Sequence, residues 1–342
     1  MTGDEVPAGS PGRYLEAGEA ANLDQFASAA LSTVVGGPAH GCRALDLRVA
    51  EGIDVRILPD RGFDVGPAWF RGVPLAWISA VGETAPIDEP SGTEWLAAFG
   101  GGLVTTCGLR NVGAPSEGHG LHGRYSHLRA GDVRVDRHLE NGEVLLTARA
   151  TLDEAEALGP HLRVERAIRT RTGTGLLEVT DVTTNLGSEP EPAPILYHVN
   201  LGVPLWSEGG RLHVDTEEVR PRDADAERGL GVWMEPAPAD VGAPELVFEH
   251  RVRPGPDGWA EARVTSPPVG LALALRWDHG TLPRFHQWVL PRRGIYALGL
   301  EPANCSVLGR AADREAGTLP MLGPGERRTT RIRIEVTEAR EG

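Results

Sequence analysis

Glycine and proline punctuate this chain almost without interruption, 44 glycines and 27 prolines in 342 residues. Either residue weakens or ends a helix, by backbone freedom in one case and by a missing N–H in the other. Little room is left for long helices. Between the breaks, apolar and polar residues alternate. Leu45, Leu47 and Val49 alternate, Glu51-Gly52 turns the chain, and Ile53, Val55 and Ile57 alternate again. That pattern predicts a β-hairpin with one buried face. Val133 and Val135 run toward Asn141-Gly142, and Val144 and Leu146 continue beyond it; Asn-Gly tolerates the positive φ that a tight hairpin turn requires. Similar runs flank Thr172-Gly173-Thr174-Gly175, and Ile332, Ile334 and Val336 alternate strictly. Two short helices are expected, Ala21–Ala30 from composition and Glu94–Phe99. The reading is an all-β fold of many antiparallel strands, a sandwich rather than a small barrel. It spans residues 13–342 as one domain, after a disordered Gly/Pro-rich acidic tail over 1–12.

A formal charge of −14 argues against nucleic-acid or anionic-membrane partners, which need a basic surface. No apolar run is long enough to span a membrane, and residues 1–20 lack a signal-peptide pattern. Three cysteines, Cys42, Cys107 and Cys305, lie far apart without CxxC spacing. They read as reduced thiols of a cytoplasmic protein. The many strand edges call for covering loops or a homodimer.

Chemistry-bearing residues fall in separate segments. His122 sits in Gly120-Leu121-His122-Gly123-Arg124, where glycines allow close backbone approach and Arg124 can donate hydrogen bonds. In Ile195-Leu196-Tyr197-His198-Val199-Asn200, strand alternation puts His198 and Asn200 on one face. That suggests a polar pocket, with a satisfied core histidine as the competing explanation. Glu301 ends an apolar run before Pro302, so its carboxylate must be paired, for instance with Arg310, or functional. Asn304 extends the same edge. Pro59-Asp60-Arg61-Gly62-Phe63-Asp64 reads by default as a turn with a solvated ion pair, and as a ligand contact otherwise. His286, Gln287 and Trp288 follow Arg284-Phe285; indole faces commonly stack on sugar rings while polar neighbours read hydroxyls. His119, His122 and His127 with Glu117 offer a metal-ligand alternative.

Taken together, these segments resemble the galactose mutarotase (aldose 1-epimerase) superfamily, and within it a bacterial aldose-1-epimerase-like branch. The resemblance covers roughly residues 40 to 336. It rests on Phe99-Gly100-Gly101-Gly102-Leu103-Val104-Thr105-Thr106-Cys107-Gly108-Leu109, on Gly120 to Arg124, and on Pro59 to Asp64, Tyr197 to Gly202, Leu282 to Trp288 and Leu300 to Gly309. It implies a β-supersandwich with a concave sugar-binding face and a cofactor-independent, metal-free isomerase. Residue by residue, it implies that His122 contacts the sugar, His198 is the general acid at the ring oxygen and Glu301 the general base at the anomeric hydroxyl. On that scheme Glu301 rests ionised and His198 protonated, each raising the other's charge preference. Arg61, Asp64, Arg124, Asn200, Asp278, His286, Gln287, Trp288 and Asn304 are the expected sugar-binding set. Asp278 fits the superfamily's sugar-binding aspartate only by position, because the pattern around it differs.

Overall fold

The computed structural model describes residues 10–339. Residues 1–9 of the expected tail lie outside that range, and Pro11 and Gly12 open a short helix, Pro11–Glu16. The rest is two large antiparallel sheets, one of 11 strands and one of 8, with a 2-stranded ribbon beside them. The first sheet runs in the order Ala27–Thr33, Arg43–Val49, Ile53–Leu58, Asp64–Phe70, Val104–Gly108, Ile195–Leu201, Ile295–Ala303, Arg284–Arg292, Leu246–Val252, Thr216–Pro221. The second includes Leu271–Asp278, Leu176–Asn185, His161–Arg171 and the terminal strand Arg327–Glu338. The all-β sandwich expected from the alternation is therefore the fold.

The hairpins fall where turn chemistry puts them. Arg43–Val49 pairs with Ile53–Leu58 around Glu51-Gly52, and Gly131–Glu140 pairs with Glu143–Ala155 around Asn141-Gly142. The Asn141 and Gly142 φ angles, 51° and 81°, are the positive values the turn needs. One expected helix is replaced. Only Leu23–Gln25 of the Ala21–Ala30 segment is helical, as a single 3₁₀ turn, and Ala27–Thr33 is an edge strand paired with Arg43–Val49. Cross-strand pairing outweighs the weak helical preference of its alanines. Glu94–Ala98 is a short 3₁₀ turn.

Between the sheets lies the main apolar core, to which Tyr197, Val199, Phe248, Phe285, Leu300 and Trp277 all contribute. It contains a wholly buried polar network. Arg166 donates to both Asp181 oxygens (2.8 and 2.6 Å), to Asp64 Oδ1 (2.7 Å), to Thr106 Oγ1 (2.9 Å) and to the Gly62 carbonyl (3.2 Å). Tyr197 also donates to Asp181, at 2.6 Å. A buried cation with two carboxylates is tolerable only because nearly every donor and acceptor is matched. The network bolts the first sheet to the second directly beneath the strand that carries His198.

That strand, Ile195–Leu201, is buried along its whole length. It lies between Val104–Gly108 and Ile295–Ala303 in the middle of the first sheet. Tyr197 and Val199 face the inter-sheet core, while Leu196 joins a second apolar cluster on the outer, concave side with Trp77, Trp95, Phe99, Trp288 and Leu290. His198 shares that second side by alternation.

Candidate active site

On the concave side of the first sheet is a cavity of about 700 Å³, lined among others by His122, His198, Arg222, Glu245, Trp288 and Glu301. Its floor is built by register. Trp288 lies opposite Gly299 across adjacent strands, and Val247 lies opposite Trp288. Glu301 is two residues from Gly299 and so points to the same face.

His198 Nε2 and Glu301 Oε1 are 3.1 Å apart, and both side chains are almost fully buried. Gly299 makes this approach possible: a Cβ there would lie 2.8 Å from Glu301 Oε1 and 2.9 Å from His198 Cε1. The His198 ring is boxed by Phe99 (centroids 5.5 Å), Trp288 (5.4 Å) and His122 (6.2 Å). His122 stacks obliquely on Trp95 at 4.7 Å, and its Nδ1 accepts from the Gly113 amide at 3.3 Å. That leaves Nε2 as its free edge. His122 itself has φ 58°, and Gly123 beside it packs so closely that a Cβ would meet the Asn111 and Gly108 carbonyls at 2.5 Å. The glycine next to His122 is thus required by close backbone approach, as the sequence suggests.

Electrostatics corrects one expectation. Burial pushes the Glu301 carboxyl up to about 8, with Glu245 adding to the rise and Arg222 opposing it. Burial lowers His198 to about 3, with repulsion from His122 adding to the effect and Asn200 opposing it. His122 falls to about 4, again through burial. A dry cavity penalises the charged form of either group. Burial thus favours the neutral pair, with the proton on Glu301, over a carboxylate and an imidazolium. Either way the pair holds a single proton.

His122, His198, Glu301 and Trp288 line the cavity as expected. Asn200 lies beside His198 on the same strand, but its Nδ2 is committed to the Gly102 and His198 carbonyls, both at 2.9 Å. The remaining expected sugar contacts are elsewhere. Arg61 is turned to the Ser126 and Ala98 carbonyls and to Thr84 Oγ1, bracing the loops behind the cavity. Asp64 belongs to the Arg166 network. Arg124 pairs with Glu89 and approaches Glu154. Asp278 ends a strand of the second sheet and accepts from the Gly280 amide in a turn. Gln287 faces the inter-sheet core, donating to the Trp233 carbonyl and meeting His250. His286 is opposite Glu301 in register, yet its Nε2 lies against the Cys305 carbonyl. Asn304 ties Ile195 and Ala193 together through their backbones.

The histidines of the metal alternative are dispersed. His119 Nε2 meets Arg310, His127 Nδ1 accepts from the Ile87 amide, and Glu117 pairs with Arg310 and Arg314. Among the described residues, no group of three or more His, Cys, Asp or Glu is placed to hold a metal ion. Arg310, the alternative partner considered for Glu301, is thus engaged by Glu117.

Sequence reasoning missed Arg222 and Glu245. Arg222 Nη2 donates to Glu245 Oε1 at 2.7 Å, and Glu245 Oε2 accepts from Trp288 Nε1 at 3.2 Å. They flank two adjacent strands at one end of the first sheet, Thr216–Pro221 and Leu246–Val252, and no local motif marks either one. It also missed Trp77, Trp95 and Gly299, although the Leu298-Gly299-Leu300 pattern shows a small residue on the Glu301 face.

Two large antiparallel sheets packed face to face, with a cavity on the outer side of the first, form a galactose mutarotase-like fold. Solved structures bear this out at the level of fold. A candidate aldose 1-epimerase from Klebsiella pneumoniae is 21% identical, with a TM-score of 0.87 over 93% of this chain and 87% of that one. A galactose mutarotase-like protein from Clostridium acetobutylicum is 12% identical, with a TM-score of 0.61 over 92% and 99% of the two chains. Galactose 1-epimerase from Lactobacillus acidophilus is 10% identical, with a TM-score of 0.56 over 92% and 99%. The chain belongs to the family described as Domain of unknown function (DUF4432), whose model matches residues 39–336. No curated protein matches it.

Proposed function

We propose that this protein is an aldose 1-epimerase-like isomerase that interconverts the α and β anomers of a reducing sugar. The observation that carries the reading is the Glu301–His198 pair, 3.1 Å apart and buried in the floor of an aromatic cavity. Opening a pyranose requires a base at the anomeric hydroxyl and an acid at the ring oxygen together, so that neither an alkoxide nor an oxocarbenium ion accumulates. Each such transfer is worth about 10²–10⁴-fold.

Glu301 acts as the base and His198 as the acid. Passing the resting proton from Glu301 to His198 Nε2 generates the carboxylate and imidazolium. Ring opening then moves the O1 proton to Glu301 and the His198 proton to O5, which returns the pair to its neutral form. Because burial disfavours charged side chains, the carboxylate and imidazolium are only transient, and ring opening leaves the pair neutral again. Rotation about C1–C2 and the reverse transfers close the other anomer. His122 offers its Nε2 edge as a hydrogen-bond partner to the sugar. No cofactor enters this scheme.

The test is saturation-transfer NMR of anomeric exchange over a panel of aldoses, with Glu301→Gln as the control. Acceleration by the wild type that disappears in the variant supports the reading. Sugars that bind without faster exchange sink it in favour of a non-catalytic carbohydrate-binding protein.

A further inference from the structure

The cavity of about 700 Å³ is walled mostly by apolar side chains, and several of its polar groups are engaged with one another. Ser79 Oγ donates to the Phe99 carbonyl and accepts from the Val81 amide. Trp288 Nε1 is spent on Glu245, and Glu245 on Arg222. Arg222 is also paired with Asp223. The buried polar edges left for a ligand are around His122, His198 and Glu301, while the partly exposed Arg222–Glu245 pair borders one wall.

Away from His198 and Glu301 the floor turns apolar by register. Along the strand from Glu301, Gly299 is paired with Trp288 and Ala297 with Leu290, before Ile295 meets Arg292, whose Nε is turned to the Ala243 carbonyl. Glu301 to Ala297 is four residues, about 13 Å at the rise of a β-strand. Trp288, Leu290, Ile295 and Val247 line this stretch. A sugar ring seated on the acid/base pair reaches only part of the way. Hydroxyl groups laid over Leu290 and Ile295 would find partners only on the Arg222–Glu245 side, and elsewhere would be desolvated at a cost. The rim is apolar too: Leu96 and Leu308 line the cavity and are 53% and 58% exposed.

We propose that the natural substrate is a reducing sugar carrying an apolar substituent remote from its anomeric carbon, which lies along Trp288, Leu290 and Ile295 while the ring sits on Glu301 and His198. This assignment rests on the anomer-exchange reading for the placement of the ring, but the apolar arm is testable by binding alone.

The experiment titrates the protein with glucose and with its O6 and O4 methyl, butyl and benzyl ethers, following quenching of the cavity tryptophans, and measures anomeric exchange on the same series. Affinity for one of the two ether series should rise roughly threefold to fourfold per added methylene, the increment for burying one CH₂. Leu290→Asn should flatten that rise. Affinity that is flat or falling along both series in the wild type overturns the proposal, and exchange of glucose itself in that case leaves the isomerase reading standing. A rising series with no accelerated exchange in any member supports the apolar arm and sinks the isomerase reading. Absence of binding throughout overturns the proposal.

Discussion

Sharing one proton across the buried pair predicts an unusually broad pH profile. The ordinary values of glutamate and histidine, 4.5 and 6.5, would confine the one-proton state to about two pH units. Burial moves them in opposite senses, Glu301 to about 8 and His198 to about 3. The sign follows from the charged form in each case. A carboxylate is disfavoured in the dry cavity, so its proton is held to higher pH, and an imidazolium is disfavoured, so it forms only at lower pH. The pair therefore keeps its single proton over about five units. Because kcat/KM reports groups of the free enzyme, the exchange rate should be flat from about pH 4 to about pH 7 and fall about tenfold per unit above pH 8. Saturation-transfer NMR measures this after subtraction of the uncatalysed rate, which itself rises with base. Glu301→Gln should lower the plateau by about 10²–10⁴-fold and remove the alkaline limb. A profile that bends near pH 6.5, with half its activity lost by the time His198 would ordinarily titrate, would falsify the dry-pair reasoning.

Gly299→Ala should preserve the fold, since its backbone lies outside the left-handed region, yet push a methyl between Glu301 Oε1 and His198 Cε1. We expect kcat to fall about 10- to 100-fold, the scale of a small misplacement of reacting groups, with a melting temperature close to wild type; a fully active variant refutes the steric argument. Arg166→Met strands Asp64 and Asp181 without their cation and should cost about 3–5 kcal/mol in urea unfolding. A loss under about 1 kcal/mol would show that the network is not the link between the sheets. Asp278→Ala alters only a turn of the second sheet, so exchange should stay within about twofold, the range of a surface substitution; a tenfold loss would return Asp278 to the site.

Much of the fold was legible because alternation and turn chemistry agree. Asn141-Gly142 and Glu51-Gly52 each specify a hairpin that the flanking apolar residues then orient. Ala27–Thr33 was not legible. Its alanines favour a helix in isolation, and only a partner strand 10 or more residues away makes it an edge. At the site, His122, His198, Glu301 and Trp288 could be read because each sits in a short motif on a definable face. Alternation alone rules out Gln287 and Trp288 facing one cavity, since neighbours on a strand point to opposite sides. Asp64 and Arg61 look like ligand contacts in sequence because buried polar side chains of a framework and of a pocket have the same composition; only their partners, Arg166 and the Ser126 carbonyl, tell them apart. Arg222 and Glu245 meet across two strands and leave no linear trace.

His198 and Glu301 are carried by inner strands of the first sheet, each flanked on both sides, and Tyr197 ties the His198 strand to Asp181 of the network below. The aromatic and aliphatic rim comes instead from connecting segments around 79–99 and 113–121. The pair thus sits on fully paired strands and the rim on connecting segments. Grafting those segments would therefore change the mouth of the cavity while leaving the His198–Glu301 pair and the Trp288–Leu290 floor as they are.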